Sequence, residues 1–291
     1  MRLTRRVALA GLAAGLPSVA RARIYADTVN TVGESLDEIR AKGRLKVAVY
    51  QDFAPFSATR DGALVGIDCD IARLLADRLE LRLELTAVSA GDTVEDDLRN
   101  HVWRGGTVDR SVVNLMLHVP YRRELEIRSE LAVLVQPYFT EGFVVASDPN
   151  RIDGEASLQA LVGQPVGVEL DSLPDFYLGS SLGGQLRPTV VHYQRVEEGL
   201  AALRTGEIAA FMGLRSQVEA GLGTDRPRFD LDLIPLDGLA AASWAVGGAV
   251  RENARDLGYA AGDVLAAAVR DGTMAAIFAN HGVDYRAPPF A

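Results

Sequence analysis

The chain has one cysteine, four histidines and, among its 291 residues, 30 lysines and arginines against 39 acids. Each scarcity excludes something. A lone thiol forms no internal disulfide, and Cys69, between Asp68 and Asp70 at the start of an apolar helical pattern, reads as a small core residue. His101, His118, His192 and His281 show neither metal-ligand spacing nor a nearby cysteine partner, so neither a metal nor a cofactor is expected. There is no Gly-x-Ser-x-Gly turn, phosphate loop or dinucleotide glycine fingerprint. Outside the N-terminus no apolar run approaches the roughly 18 residues that span a bilayer. A formal charge of −9 makes nucleic acid and anionic membrane surfaces poor partners.

What is present begins with an address. Residues 1–22 carry a basic start (Arg2, Arg5, Arg6), an apolar middle from Val7 to Leu16, and Ala20-Arg21-Ala22 as a cleavage signal. Thr4-Arg5-Arg6 also fits a twin-arginine signal, so the ordinary and twin-arginine export routes both stay open. Either route predicts a periplasmic protein that is not membrane-inserted once the leader is gone. Cleavage would remove four arginines and no acids, taking the charge from −9 to −13.

Beyond the leader, strands alternate with helices. Residues 44–50 and 81–88 read as strands around a helix over 68–79, a βαβ beginning. A helix over 93–103 has acids in its first turn, where the helix dipole favours them; Asp96 and Asp97 are sequential, so they diverge around the helix rather than converge on a metal. Residues 111–119 read as a third strand, 157–162 as a short helix and 165–169 as a strand. Ser172 caps the helix that follows, and 196–204 and 255–270 read as further helices. Two extended apolar runs, near 131–146 and 231–250, bracket a segment with its own βα rhythm. The pattern predicts an α/β protein of two lobes, the first discontinuous (23–137 and 238–291), the second over 138–237, joined by two crossings with a cleft between them.

The stretch Asn114 to Glu124 is the focus of that cleft. It runs from a short apolar strand into a Pro120-bounded turn with Arg122 and Arg123, where ligands of open α/β sheets bind and where a guanidinium fork suits a carboxylate. A pair of solvated surface arginines is the plainer alternative. Phe53, Tyr138 and Phe176 are candidate aromatic walls, and His118 is placed at the rim.

Five segments in order resemble the type II, amino-acid-type (family 3) periplasmic solute-binding proteins of ABC transporters. Leu64-Val65-Gly66-Ile67-Asp68-Cys69-Asp70-Ile71-Ala72 is similar to the family's Gly-Phe-Asp-x-Asp-Leu-Ala helix start, and Val119-Pro120-Tyr121-Arg122 to its Thr-Pro-Glu-Arg turn. Pro137-Tyr138-Phe139 resembles its Pro-Tyr-Tyr crossing, the run 161–168 its Leu-x-Gly-Lys-x-Val-Gly-Val strand, and Asp271-Gly272-Thr273 the Asp-Gly-Thr before its last helix. The resemblance implies a hinged two-lobed binding protein without catalysis. Arg122 would grip a solute carboxylate, and Ser172 would donate from the second lobe. It also shows departures: Leu115, Leu117 and Val119 replace polar donors, and Ala209 and Leu214 stand where second-lobe acids are expected. With no acid there, a buried ammonium would lack its partner, a cost of several kcal/mol, which argues for a degenerate amino-acid pocket.

A narrower resemblance, on Leu98-Arg99-Asn100-x-x-Trp103 and the segment 114–120, is to the J proteins encoded beside periplasmic quinoprotein (PQQ) methanol dehydrogenases. It implies an accessory protein that binds such a dehydrogenase and helps mature or activate it. The alternatives are a transport receptor for a small anionic or neutral metabolite, and a dehydratase-like enzyme on the same fold, with His118 and an acid as its acid/base pair.

Overall fold

The computed structural model describes residues 33–106, 110–154, 156–234, 236 and 243–289. The leader over 1–22, most of the lead-in after it and the expected boundary at 237/238 lie outside these residues. In chain order the elements begin with α1 (Leu36–Lys42), β1 (Arg44–Tyr50), the hairpin β2 (Ala58–Arg60) and β3 (Ala63–Val65), α2 (Ile67–Arg78) and β4 (Arg82–Val88). Next come α3 (Val94–Leu98) running into a π-turn at Arg99–Trp103, β5 (Leu115–Pro120), α4 (Arg123–Arg128) and the long β6 (Ala132–Ser147). Then follow β7 (Val166–Glu169), α5 (Leu173–Ser180), β8 (Val190–Tyr193), α6 (Val196–Thr205), β9 (Ala210–Leu214), α7 (Arg215–Leu222) and β10 (Asp230–Leu233). The chain closes with β11 (Ser243–Arg251), α8 (Arg255–Asp271) and α9 (Thr273–Asn280).

Local chemistry sets many of these boundaries. Ser35 and Glu38 form a reciprocal capping box at the start of α1, and Gly43, at φ 62°, ends the helix in the left-handed conformation. At Gly66 the backbone of α2's first turn passes so close to the preceding loop that an added Cβ would lie 2.3 Å from the Phe56 carbonyl oxygen, so only glycine fits. Ile67, Ile71 and Leu75 then bury one face of α2 completely, each worth about 1.5–3 kcal/mol of apolar transfer.

The strand order is β4-β1-β5-β11-β6-β9-β7-β8, with β10 added alongside β6. β1 lies parallel to β4 and β5, and β7 parallel to β8 and β9. The antiparallel β11 and β6 join these two parallel groups. From Ala132 to Gly142, β6 pairs with β11; from Phe143 to Ser147 it pairs with β9. One strand thus serves both halves, and each half has its own apolar core: Val47, Ile71, Leu75, Val250 and Leu257 in one, Phe143, Val168, Leu178 and Met212 in the other. The fold is the expected two-lobed α/β architecture.

Some elements differ from the sequence reading. Residues 157–162 form turns rather than a helix, because Gly163 at φ 79° and the Gln164-Pro165 pair end the run before a stable helix can develop. The third strand begins at Leu115 rather than Ser111. Helix α7 is an addition whose buried side includes Arg215, Ser216 and Glu219, so apolar periodicity does not mark it.

Polar contacts surround the place where β6 passes between the halves. The Arg215 guanidinium, with its side chain 1% exposed, donates to both Glu219 carboxylate oxygens at 2.9 and 3.0 Å, to the Asp284 carbonyl at 2.9 Å and to the Thr140 carbonyl at 3.0 Å. It also lies 5.2 Å from the centre of the Phe139 ring. Next to it, Glu141 accepts from the Ser216 hydroxyl and from the Gly142 amide at 2.8 Å. The C-terminal segment straps across: the Thr140 amide donates to the Arg286 carbonyl at 2.9 Å, and the Tyr285 hydroxyl to the Tyr138 carbonyl at 2.8 Å.

Candidate functional site

A cleft of about 470 Å³ opens beyond the C-terminal ends of β1, β5, β7 and β9, where open α/β sheets bind their ligands. Its lining comes from both halves. The first supplies Asp52 and Phe53 after β1, Pro120 at the end of β5, Arg122 after it, and Trp244 on β11. The second contributes Phe143, Glu169, Ser172, the β9 residues Met212 to Leu214, and Gln217 of α7. The Gln217 amide donates to the Ala54 carbonyl at 3.3 Å, a direct contact across the cleft. Phe143 and Trp244 pack with ring centres 5.1 Å apart and make an apolar wall.

The charges in this cleft are Asp52, Arg122 and Glu169. Among the described residues, none of these three side chains has a hydrogen-bond or ion-pair partner. Asp52 and Arg122 are exposed. Glu169, the last residue of β7, is partly buried; desolvation raises its carboxyl above the usual range, and the nearby Glu197 carboxylate adds to the rise. This acid corrects the sequence reading, in which a missing acid in the second lobe left only aliphatic groups. Ala209 is buried and Leu214 lines the cleft, but a carboxylate reaches the same cavity from another strand.

The six residues singled out in the sequence part company here. Phe53, Arg122 and Ser172 line the cleft together. The Ser172 hydroxyl donates to the Glu169 carbonyl at 2.6 Å and accepts from the Asp175 amide at 3.3 Å, so its proton is committed to the turn that caps α5. Phe176 lies outside the cavity lining, on the part of α5 where its ring is 60% exposed. Tyr138 is wholly buried: its hydroxyl donates to Asp68 at 3.0 Å and accepts from the His118 amide at 3.0 Å. Burial, followed by the Asp68 charge, pushes that phenol well above its ordinary range.

His118 is not in the lining either. Its Nδ1 is 3.1 Å from the fully buried Asp68 carboxylate, its backbone has φ 60°, and its ring packs edge-on against Phe53 at 4.9 Å and Phe56 at 4.1 Å. Asp68, Tyr138 and His118 form a hydrogen-bonded polar cluster packed against the Phe53 and Phe56 rings. The acid partner sought for His118 is therefore Asp68, but the pair faces the interior rather than the cavity. Cys69 is buried beside it, and burial pushes its thiol up to about 11, which keeps it unreactive.

Sequence reasoning missed Glu169 and Gln217. Glu169 had a visible signal, a carboxylate closing the Val166-Gly167-Val168 strand directly before a helix cap. Gln217 lies in the helix that periodicity did not reveal.

Two-lobed binding proteins share this architecture. The sequence model of the bacterial extracellular solute-binding proteins, family 3, matches residues 45–103, from β1 through the π-turn. No curated protein matches the chain. Among solved structures, an ancestral cationic amino acid solute-binding protein aligns at 19% identity and a TM-score of 0.64, covering 85% of this chain and 99% of its own. A substrate-binding protein of an amino acid ABC transporter from Streptococcus pneumoniae, bound to L-arginine, aligns at 20% identity and 0.58, covering 86% and 98%. A solute receptor for L-cysteine of Neisseria gonorrhoeae aligns at 20% and 0.54, covering 85% and 93%. At such identities the likeness establishes the fold, that of type II periplasmic binding proteins. Among the described residues, no helix is long and apolar enough to cross a membrane.

Proposed function

We propose that this chain is a receptor that captures a small solute between its two lobes and delivers it to an ABC transporter outside the cytoplasm, without chemical conversion. The lobes in this reading are 23–137 with 238–291, and 138–237. The observation that carries it is the cleft itself: an apolar-walled space about the size of a small metabolite, bordered by charges that no protein group among the described residues satisfies. The Arg122 fork suits a solute carboxylate. Phe53, Phe143 and Trp244 suit an aliphatic or aromatic body. Structural neighbours whose solutes are L-arginine and L-cysteine support a solute of amino-acid size.

Native mass spectrometry of the protein purified from its own periplasm tests the reading. A bound small molecule that disappears in Arg122→Ala is the expected result. An empty cleft that takes up no carboxylate solute in calorimetry overturns it.

The accessory role beside a quinoprotein dehydrogenase takes second place on one observation. Of the apolar residues in the segments that resemble the J proteins, Leu98, Leu115, Met116, Leu117 and Val119 are fully buried, and only Trp103 and Pro120 are partly exposed. The five buried residues pack the interior, which leaves these segments little apolar surface for a partner. Recovery of a stoichiometric dehydrogenase from the same purification would reverse the order.

A further inference from the structure

Beyond the receptor reading, and independent of it, we propose that the first turn of α7 is a clamp that holds the two halves together without any solute, so that the solute-free protein rests closed instead of swinging open about its crossing strands.

Helix α7 belongs to the second half by its packing: Val218 and Leu222 share an apolar core with Val144, Leu200 and Phe211. Its polar first turn is spent elsewhere, because three consecutive side chains, Arg215, Ser216 and Gln217, each reach out of that half. Gln217 donates to the Ala54 carbonyl, in the loop after β1, at 3.3 Å. Arg215 donates to the Asp284 carbonyl at 2.9 Å and to the Thr140 carbonyl at 3.0 Å. Between them, the Ser216 hydroxyl binds Glu141 on the crossing strand β6. One turn further, Glu219 accepts from the Asp284 amide at 2.9 Å, and Ala220 packs against the core of the first half. Arg226, beyond the helix, pairs with the Asp284 carboxylate at 2.6 Å.

Asp284 is the hub on the other side. Its neighbours Val283 and Tyr285 pack into the first core, while its carbonyl, amide and carboxylate are all held by side chains of the second half. The C-terminal tail is therefore a tie between the halves in addition to β6. A hinge tied only at its crossing strands turns about them; a tie set off that axis must break before the halves part. Opening would break the Gln217 bridge and the Asp284 grip together, and would leave Arg215 and Glu219, each 1% exposed, short of partners. That cost falls on the open arrangement alone and biases the pair of states towards the closed one. The consequence is a cleft formed in advance, so that binding does not have to supply the free energy of closure.

Electron spin distance measurements on the protein refolded from urea, which frees it of solute, test the clamp. One label sits at Glu124→Cys on α4 and the other at Arg187→Cys before β8; both positions are exposed, and the buried Cys69 stays unlabelled. The expected result is a single narrow population in wild type, at the separation found in the structure. In Gln217→Ala/Asp284→Ala a longer population appears, the open-to-closed ratio rising about tenfold as the loss of a hydrogen bond and an ion pair requires. Thermal melting followed by circular dichroism shows that the variant folds; if it does not, Gln217→Glu, which sets an acceptor against the Ala54 carbonyl, must give a shift in the same direction. A solute-free wild type that is mostly at the longer separation, or evenly divided, overturns the clamp. So does a folded variant that keeps the wild-type distribution. No solute enters the measurement, so its outcome bears on the clamp and leaves the receptor reading to its own test.

Discussion

The hinge crossing and the cleft adjoin one another on β6, and they treat charge in opposite ways. At the crossing, Arg215 and Glu219 are each 1% exposed, yet the pair is engaged on several sides by Thr140, Asp284 and Arg226. In the cleft, Arg122, Asp52 and Glu169 have no partner among the described residues. Buried charge held by several partners serves the fold; charge left without a partner in a concavity is available to a ligand. The difference separates the residues that hold the lobes from those that the proposed receptor role assigns to the solute.

The comparison breaks most visibly at Arg215. Replacing it by alanine removes one partner of a buried pair and leaves Glu219 only Arg226 at 3.4 Å and the Asp284 amide at 2.9 Å, so urea unfolding should show a loss of about 3 kcal/mol. A loss under about 1 kcal/mol would mean that the crossing tolerates free charge as the cleft does. Ser216→Ala comes next. It takes the hydroxyl donor from the buried Glu141 carboxylate and should cost about 1–3 kcal/mol in the same assay.

A pH series sharpens the picture at the crossing. Burial raises the Glu141 carboxyl above its ordinary 4.5, although the hydrogen bonds from Ser216 and Gly142 and the nearby Arg215 pull the other way. The folded state therefore keeps this proton longer than the unfolded chain does. Stability contributed here is fully present below the unfolded value and falls as pH rises through the raised folded one. Glu141→Gln removes that slope, so the stability of wild type minus variant should decrease with rising pH across the carboxylate range and level off beyond it. A difference that is flat, or that rises with pH, contradicts the account.

The smallest effect on the fold is expected in the cleft. Arg122→Ala and Glu169→Gln should each shift the unfolding free energy of the solute-free protein by less than about 0.5 kcal/mol, because neither side chain has a hydrogen bond or ion pair among the described residues to lose.

How much of this was legible in the sequence follows the same division. The βα rhythm, the Ser172 cap of α5 and the long crossing strand could be read because each depends on local propensity or apolar pattern. Arg122 and Phe53 could be placed because strand ends and turns mark ligand sites in α/β folds. Helix α7 escaped because Arg215, Ser216 and Glu219 face inward, and a polar residue on a buried face looks like a surface residue until its partners are known; the Arg215–Glu219 spacing was the only trace. The acid of the cleft was sought along one strand and stands on another, a matter of tertiary placement that spacing along the chain does not encode. Tyr138 and His118 were drawn to the cleft by their chemistry, and Asp68 holds them below it.

The claim that cleft charges serve the solute and not the fold is tested most directly by chemical unfolding of the double variant Arg122→Ala/Glu169→Gln beside wild type, each with and without saturating solute. The account predicts that the solute-free curves coincide within about 0.5 kcal/mol, and that a stabilisation of about 2.7 kcal/mol at a hundredfold excess over Kd appears in wild type alone. A double variant that is several kcal/mol weaker without solute, or that keeps the solute-induced gain, contradicts it.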